Sequence, residues 1–188
     1  MNYYTAILTG GKSSRMGKDK ALVLFRGKSL LQHAIDLFSS FSNEICVSAN
    51  TEYNIYLPIV KDRHKEIGPM GGIHALLTSC HADHVLVIPV DTPLISKEII
   101  QELLDNHTTQ QASVCRTKDG LQMLVGIYSK TILPILEKQI QNKDYKLSNL
   151  LDIANIQVLD MEKYATKFSN INTLNDLIQI SENKPIEK

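Results

Sequence analysis

Tryptophan is absent, and of 188 residues only three are cysteine and four phenylalanine. Cys46, Cys80 and Cys115 lie far apart with no C-x-x-C spacing, so neither a disulfide framework nor a cysteine metal site is expected. No apolar run approaches the roughly 18 residues of a membrane helix. Met1-Asn2-Tyr3-Tyr4-Thr5 carries neither the basic start nor the apolar stretch of a secretory leader. A cytoplasmic protein without a membrane partner is the expectation. Net charge is missing as well, since 20 Lys plus Arg balance 20 Asp plus Glu. Nucleic-acid binders that neutralise phosphates carry a basic excess, often interleaved with aromatics, so that partner class is excluded. What is present, 43% hydrophobic and 21% charged residues, suits a folded domain with a real core.

Short apolar runs alternate with amphipathic segments. Tyr4–Leu8 reads as a buried strand, Ile45–Ala49 as a second, Pro58–Lys61 as a shorter third and His84–Val90 as the most apolar. Ser29 is placed to cap a helix whose apolar positions run from Leu30 to Phe41, and Ser96 to cap one carrying Ile99, Ile100, Leu103 and Leu104. Gly68–Gly72 reads as a turn opening onto a helix over Ile73–Leu77. Ala112–Arg116 and Leu121–Tyr128 are further strands, and Thr131–Gln141 and Thr173–Glu182 further helices. Continuous apolar strands alternating with helices predict an α/β fold, a mostly parallel sheet covered on both faces. In such sheets ligands bind beyond the carboxyl ends of the strands. The Gly-rich stretch after Leu8, Asn50, Asp62 and Asp91 should therefore share one edge.

The strongest signal is Thr9-Gly10-Gly11-Lys12-Ser13-Ser14-Arg15-Met16-Gly17-Lys18-Asp19-Lys20. Residues 1–28 carry six cations (Lys12, Arg15, Lys18, Lys20, Arg26 and Lys28) against the single anion Asp19, inside a neutral chain. Glycines let backbone N–H groups approach phosphate oxygens, and the cations stabilise the same anion. A polyphosphate ligand accounts for both; a solvated lysine-rich loop is the plainer alternative. Two familiar phosphate motifs fail. The first glycine of a Walker A loop would fall at Ala6 for Gly11-Lys12-Ser13 and at Leu22 for Gly27-Lys28-Ser29, and no G-x-G-x-x-G follows the first strand.

Leu8 to Lys20 resembles the L-A-G-G-x-S-x-R-M-G-x-D-K signature of molybdenum cofactor guanylyltransferases. Ser48-Ala49-Asn50 resembles their S-A-N, Gly68-Pro69-Met70-Gly71-Gly72 their G-P-L-A-G, and Pro89-Val90-Asp91-Thr92-Pro93 their C-D-x-P. Phe168-Ser169-Asn170-Ile171-Asn172-Thr173 resembles F-x-N-x-N-T-P, so the blocks span nearly the whole chain in family order. Thr9 stands where the family has Ala, Leu174 where it has Pro after N-x-N-T, and Met123 where Q-P is common.

The resemblance implies a Rossmann-like three-layer sandwich of the nucleotide-diphospho-sugar transferase type. A single nucleotidyltransferase domain over residues 1–183 would have a nucleotide half of about 1–95 and a pterin half of about 96–183, followed by a polar tail at 184–188. It implies transfer of GMP from GTP to the phosphate of molybdenum-molybdopterin, with release of pyrophosphate and with Mg²⁺. Arg15, Lys20 and Asp91 would be catalytic, with Lys12 a further cation and Asp91 the metal ligand. Leu8, Thr9, Gly10, Lys20, Asn50, Asp62 and Asp91 would bind GTP, and Asn170 and Asn172 would lie on the pterin side. Gly71 and Gly72 would bring a helix N-terminus close to a substrate. Transient contacts with proteins that deliver and receive the cofactor belong to the same expectation. The alternatives are a molybdopterin cytidylyltransferase or another small nucleotidyltransferase, which typically carry L-A-A-G where Gly10 stands here, and a non-catalytic nucleotide-binding module, which would have lost Arg15, Lys20 or Asp91. Lys20, Arg15 or Lys12 could instead be a solvated surface cation, and Asn50, Asp62 and Asp91 have turn or capping roles as plainer readings. His81 and His84 read as solvated connector residues, and His33 and His74 as helical residues without a special role.

Overall fold

The computed structural model describes residues 2–9, 19–42, 44–64 and 66–182. Strand β1 (Tyr3–Leu8) is followed by a two-residue hairpin, β2 (Leu24–Phe25) and β3 (Lys28–Ser29), then helix α1 (Leu30–Phe38) and β4 (Ile45–Ser48). Next come β5 (Ile59–Val60), α2 (Pro69–Ser79), β6 (His84–Pro89) and α3 (Lys97–Asn106). The chain closes with β7 (Ala112–Thr117), β8 (Gly120–Ser129), α4 (Leu133–Gln141), β9 (Ile156–Asp160) and α5 (Leu174–Glu182). Apart from the hairpin, the seven strands form one sheet in the order β5-β4-β1-β6-β8-β7-β9. Every neighbouring pair is parallel except those made by β8, which runs against both β6 and β7.

Side chains on successive strand residues point to opposite faces, and here both faces are dry. Ile7, Val47, Leu86 and Ile88 join Leu30, Phe38, Ile99 and Leu103 in one core layer under α1 and α3. Ala6, Leu8, Val85 and Val87 join Met70, Ile73, Leu76 and Leu136 in the other, under α2 and α4. That double burial is why the strands read as continuous apolar runs. All three cysteines are buried and reduced, and no helix among the described residues is long and apolar enough to cross a membrane.

Several boundaries differ from the sequence reading for local reasons. Ser29 caps α1 as expected, its Oγ accepting from the Gln32 N–H at 3.1 Å. The helix stops at Phe38 rather than Phe41, because the Ser39 and Ser40 hydroxyls donate back to the Ile35 and Leu37 carbonyls and compete with the next turn. Ser96 occupies the N-cap position of α3 without a side-chain cap bond. The segment read as a Gly68–Gly72 turn is already helix from Pro69, which suits the first turn because its missing N–H has no partner to lose there. The hairpin and β9 had no turn or periodicity signal strong enough to read. The hairpin turns on Arg26 and Gly27, both at positive φ (48° and 83°), as a two-residue primed turn requires.

His84 is not a solvated connector: it opens β6 half-buried, edge-on to His107 with ring centroids 5.1 Å apart. His107 is buried, with its Nδ1 2.7 Å from the Ser113 Oγ. Burial, then the neighbouring His84 ring, lower the His107 pKa to about 4. His74 on α2 is buried beside His64 and is lowered for the same first reason. Histidines held neutral in the fold leave the extra proton on the unfolded chain, so this stability is complete above about pH 6.5 and is lost as pH falls toward 4. Between pH 7 and 5 the protein should lose about 1–2 kcal/mol through His107 alone. Urea unfolding at stepped pH should show a flatter slope in His107→Gln than in the parent chain.

Candidate active site

The strand order reverses direction at β1: the chain steps outward from it to β4 and β5, then returns to add β6 on its other side. The crevice beyond the carboxyl ends of β1 and β6 is the switch point at which open α/β sheets bind ligands. Leu8 and Thr9 leave β1 there, and Asp91 leaves β6. The Val90 N–H donates to the Leu8 carbonyl at 2.9 Å, and Thr9 donates to the Ser48 carbonyl through both its N–H (3.1 Å) and its hydroxyl (2.9 Å). Three strand ends are thereby locked side by side.

Lys20 sits at the centre of this edge. Its Nζ donates to Asp91 Oδ2 at 2.9 Å and to Asn172 Oδ1 at 2.8 Å. The Lys20 and Asp91 side chains are only 19% and 20% exposed, so the pair is screened less than an open surface ion pair. Asn172 is held by its own segment: the Asp176 carboxylate accepts from the Asn172 and Thr173 N–H groups at 2.8 Å each, while the Thr173 hydroxyl accepts from the Asp176 N–H at 3.1 Å. This reciprocal box starts α5 without the family's proline at Leu174. The Ile171 N–H donates to the Asp91 carbonyl at 2.8 Å, which fastens the same segment to the end of β6.

Asn50 and Asp62 form a second cluster beyond β4 and β5. Asn50 Nδ2 donates to Asp62 Oδ2 at 3.0 Å, and the Asp62 N–H donates to Asn50 Oδ1 at 3.2 Å. Asn50 does not have the positive φ of a left-handed turn residue, and Asp91 caps no helix, α3 beginning after Ser96. The N-terminus of α2 closes in beside this cluster. A Cβ at Gly72 would lie 2.9 Å from Ser48 Oγ, 3.2 Å from Leu8 Cδ2 and 3.7 Å from Asp62 Oδ1, and one at Gly71 would lie 2.9 Å from the His64 carbonyl oxygen.

Of the residues expected from sequence, the structure brings Lys20, Asp91 and Asn172 into direct contact, pairs Asn50 with Asp62, and puts Leu8 and Thr9 between the two groups. Asn172, expected on the pterin side, is bonded to Lys20, which was expected to bind GTP. Asn170 is exposed two residues away. Gly10, Lys12 and Arg15 lie outside the described residues. Met123, another departure from the family pattern, is buried in β8 beside a register shift in its pairing with β7, and its carbonyl accepts from the buried Tyr128 hydroxyl. Sequence reading missed Tyr53, whose hydroxyl donates to Asp19 Oδ2 at 2.9 Å; an aromatic in a loop carries no motif.

Among the described residues no cluster of three or more His, Cys, Asp or Glu could hold a metal unaided. One carboxylate, with Oδ1 of Asp91 unbonded among the described residues, fits an ion such as Mg²⁺ that takes most of its oxygens from water and substrate phosphates.

Comparison with known proteins agrees with this geometry. Residues 5–158 match the family model of the MobA-like NTP transferase domain. The chain belongs to this family. It is accordingly a nucleotidyltransferase by fold and lineage. It is 38% identical to a probable molybdenum cofactor guanylyltransferase of Flavobacterium johnsoniae, across 92% of this chain and 95% of that one. It is 33% identical to the molybdenum cofactor guanylyltransferase of Aliivibrio fischeri, across 92% of each. The crystal structure of molybdopterin-guanine dinucleotide biosynthesis protein A from Archaeoglobus fulgidus superposes with a TM-score of 0.81 at 25% identity, covering 95% of this chain and 97% of that one. The nucleotide-diphospho-sugar transferase-like sandwich expected from sequence is the fold of this family member.

Replacing a helical glycine by alanine ordinarily gains about 1 kcal/mol. At Gly72 the contacts with Ser48 and Leu8 oppose this, since overpacking costs about 1–3 kcal/mol. Gly72→Ala should therefore lower stability by about 1 kcal/mol, read as a reduced midpoint in urea.

Proposed function

We propose that this nucleotidyltransferase transfers GMP from GTP to the phosphate of molybdenum-molybdopterin, forming the guanine dinucleotide cofactor and pyrophosphate. The observation that carries the reading is the single Lys20 ammonium bonded at once to the end of β6, through Asp91, and to the approach to α5, through Asn172. It is a cation at the switch point, between a nucleotide half and a second half of the sheet. The names of the relatives supply the guanine and the pterin.

A phosphate monoester has a second pKa near about 6, so the acceptor is largely dianionic at neutral pH and needs no general base. One of its oxygens attacks the α-phosphorus of GTP while the bond from that phosphorus to the β-bridging oxygen breaks. Catalysis then consists of positioning two anions and neutralising the leaving pyrophosphate. Lys20 and Arg15 would face the phosphates, with Lys12 as a further cation. Leu8, Thr9 and Gly10 would meet the nucleoside through main-chain groups, and Asn50 and Asp62 would hydrogen-bond it. Asp91 would hold Mg²⁺, which when bound supplies charge neutralisation at the phosphates. Lys20 would exchange its bond to Asp91 for phosphate oxygens as substrate enters. Asn170 and Asn172 would face the acceptor, and the enzyme would work in the cytoplasm, receiving and passing on its cofactor through transient protein contacts.

Thermal shift with GTP, CTP, ATP and UTP, each with and without Mg²⁺, tests the nucleotide, because a ligand of the folded state alone raises Tm by mass action. Selective stabilisation by GTP with Mg²⁺ is expected; preference for CTP would move the chain to the cytidylyl branch. Asp91→Asn keeps an oxygen acceptor for Lys20, so Tm should stay within a few degrees while guanylyl transfer falls by about 10³-fold or more. Retention of Mg²⁺-dependent transfer in that variant would overturn the role of Asp91.

A further inference from the structure

The Lys20 ammonium can serve phosphates only if its backbone is held still, and the structure shows what holds it. Lys20 opens a short 3₁₀ turn, Lys20–Leu22, whose N-cap is Asp19: one carboxylate oxygen, Oδ1, accepts from the Ala21 N–H at 3.0 Å. The other, Oδ2, accepts from the Tyr53 hydroxyl at 2.9 Å. Tyr53 comes from the connection between β4 and β5, and its ring is half-buried against the core layer that also holds Ala21 and Phe25. Asp19 therefore has both oxygens committed, one to the turn that presents Lys20 and one to a side chain anchored in the fold. Ala21, wholly buried, fixes the other side of the same turn.

We propose that Tyr53 is a positioning residue for phosphate binding, acting through Asp19 to set the place of Lys20. The inference rests on the nucleotidyl-transfer reading of the site but not on the identity of the base or the acceptor. Burial is the main cause that raises the Tyr53 pKa to about 12; the Thr9 hydroxyl opposes it, and the contact with Asp19 adds a smaller rise. The phenol thus remains a donor throughout the neutral range. Removing the hydroxyl would leave the ring packing and the Asp19 cap in place and loosen only the link between them.

The test compares the full-length parent chain with Tyr53→Phe, Lys20→Ala and the double variant by calorimetric titration with two probes, GTP and inorganic tripolyphosphate, both with Mg²⁺. Tyr53→Phe is expected to weaken both probes by about the same five- to tenfold, with Tm lowered by no more than about 4 °C, the effect of one hydrogen bond in a chain of this size. The double variant is expected to bind no more weakly than Lys20→Ala, because Tyr53 has nothing left to position. Three results would overturn the proposal: binding by Tyr53→Phe within twofold of the parent, a loss confined to GTP and absent with tripolyphosphate, or losses that add in the double variant. Failure of the guanine reading would look different. The parent chain would prefer another nucleoside triphosphate while the tripolyphosphate series kept its pattern.

Discussion

Three segments far apart in the chain meet at one ammonium group. Lys20 follows the Gly-rich stretch, Asp91 ends β6 and Asn172 precedes α5, and the two bonds from the Lys20 Nζ join them across 71 and 152 residues of sequence. Neither bond would be worth much on an open surface, where ion pairs contribute about 0–1 kcal/mol. Their value here is positional: an ion pair four-fifths withdrawn from water keeps its geometry and sets a cation and a carboxylate side by side at the switch point of the sheet. The sheet exists to make that meeting reproducible. Its parallel strands are buried on both faces, so a one-residue slip of β1 or β6 would move every inward side chain to the other core layer.

The same edge explains why small residues crowd the start of α2. The helix must come close enough to Ser48, Leu8 and Asp62 that no Cβ fits at Gly72 without displacement, and such closeness sets a helix N-terminus, the positive end of its dipole, beside the Asn50–Asp62 pair. Glycine costs helix stability, and its presence in two successive positions of a first turn marks a place where approach outweighs propensity.

Much of this was legible in the residues. The buried strands announced themselves as apolar runs, and the polar residue closing each of them, Asn50, Asp62 and Asp91, fell on one edge because parallel strands end on one edge. The six cations against one anion near the N-terminus are the reason to propose a phosphate ligand at that edge. Other features left no local trace. The end of α1 was set by serine hydroxyls bonding backward, which resemble any polar surface residue in sequence. The antiparallel course of β8 depends on the sheet it joins and not on its own pattern. The burial of His84 follows from its neighbour His107, 23 positions on, and Tyr53 bonds Asp19, 34 positions back; neither pairing is periodic, and periodicity is what sequence reading detects.

Leu174 illustrates how a departure from a family pattern can be absorbed. Proline at the first position of a helix helps by fixing φ and by lacking an N–H that would go unpaired. In this chain the same start is secured by Thr173 and Asp176, which exchange bonds with each other's N–H groups while the Asp176 carboxylate also takes the Asn172 N–H. The substitution leaves Leu174 largely exposed, so it fills no space inside the fold. The constraint that matters for the site is the orientation of Asn172, and a carboxylate gripping its backbone provides that as well as a proline two residues downstream would. The Lys20 contact thus depends on Asp176, a residue outside every motif, more directly than on the position at which the motif is broken.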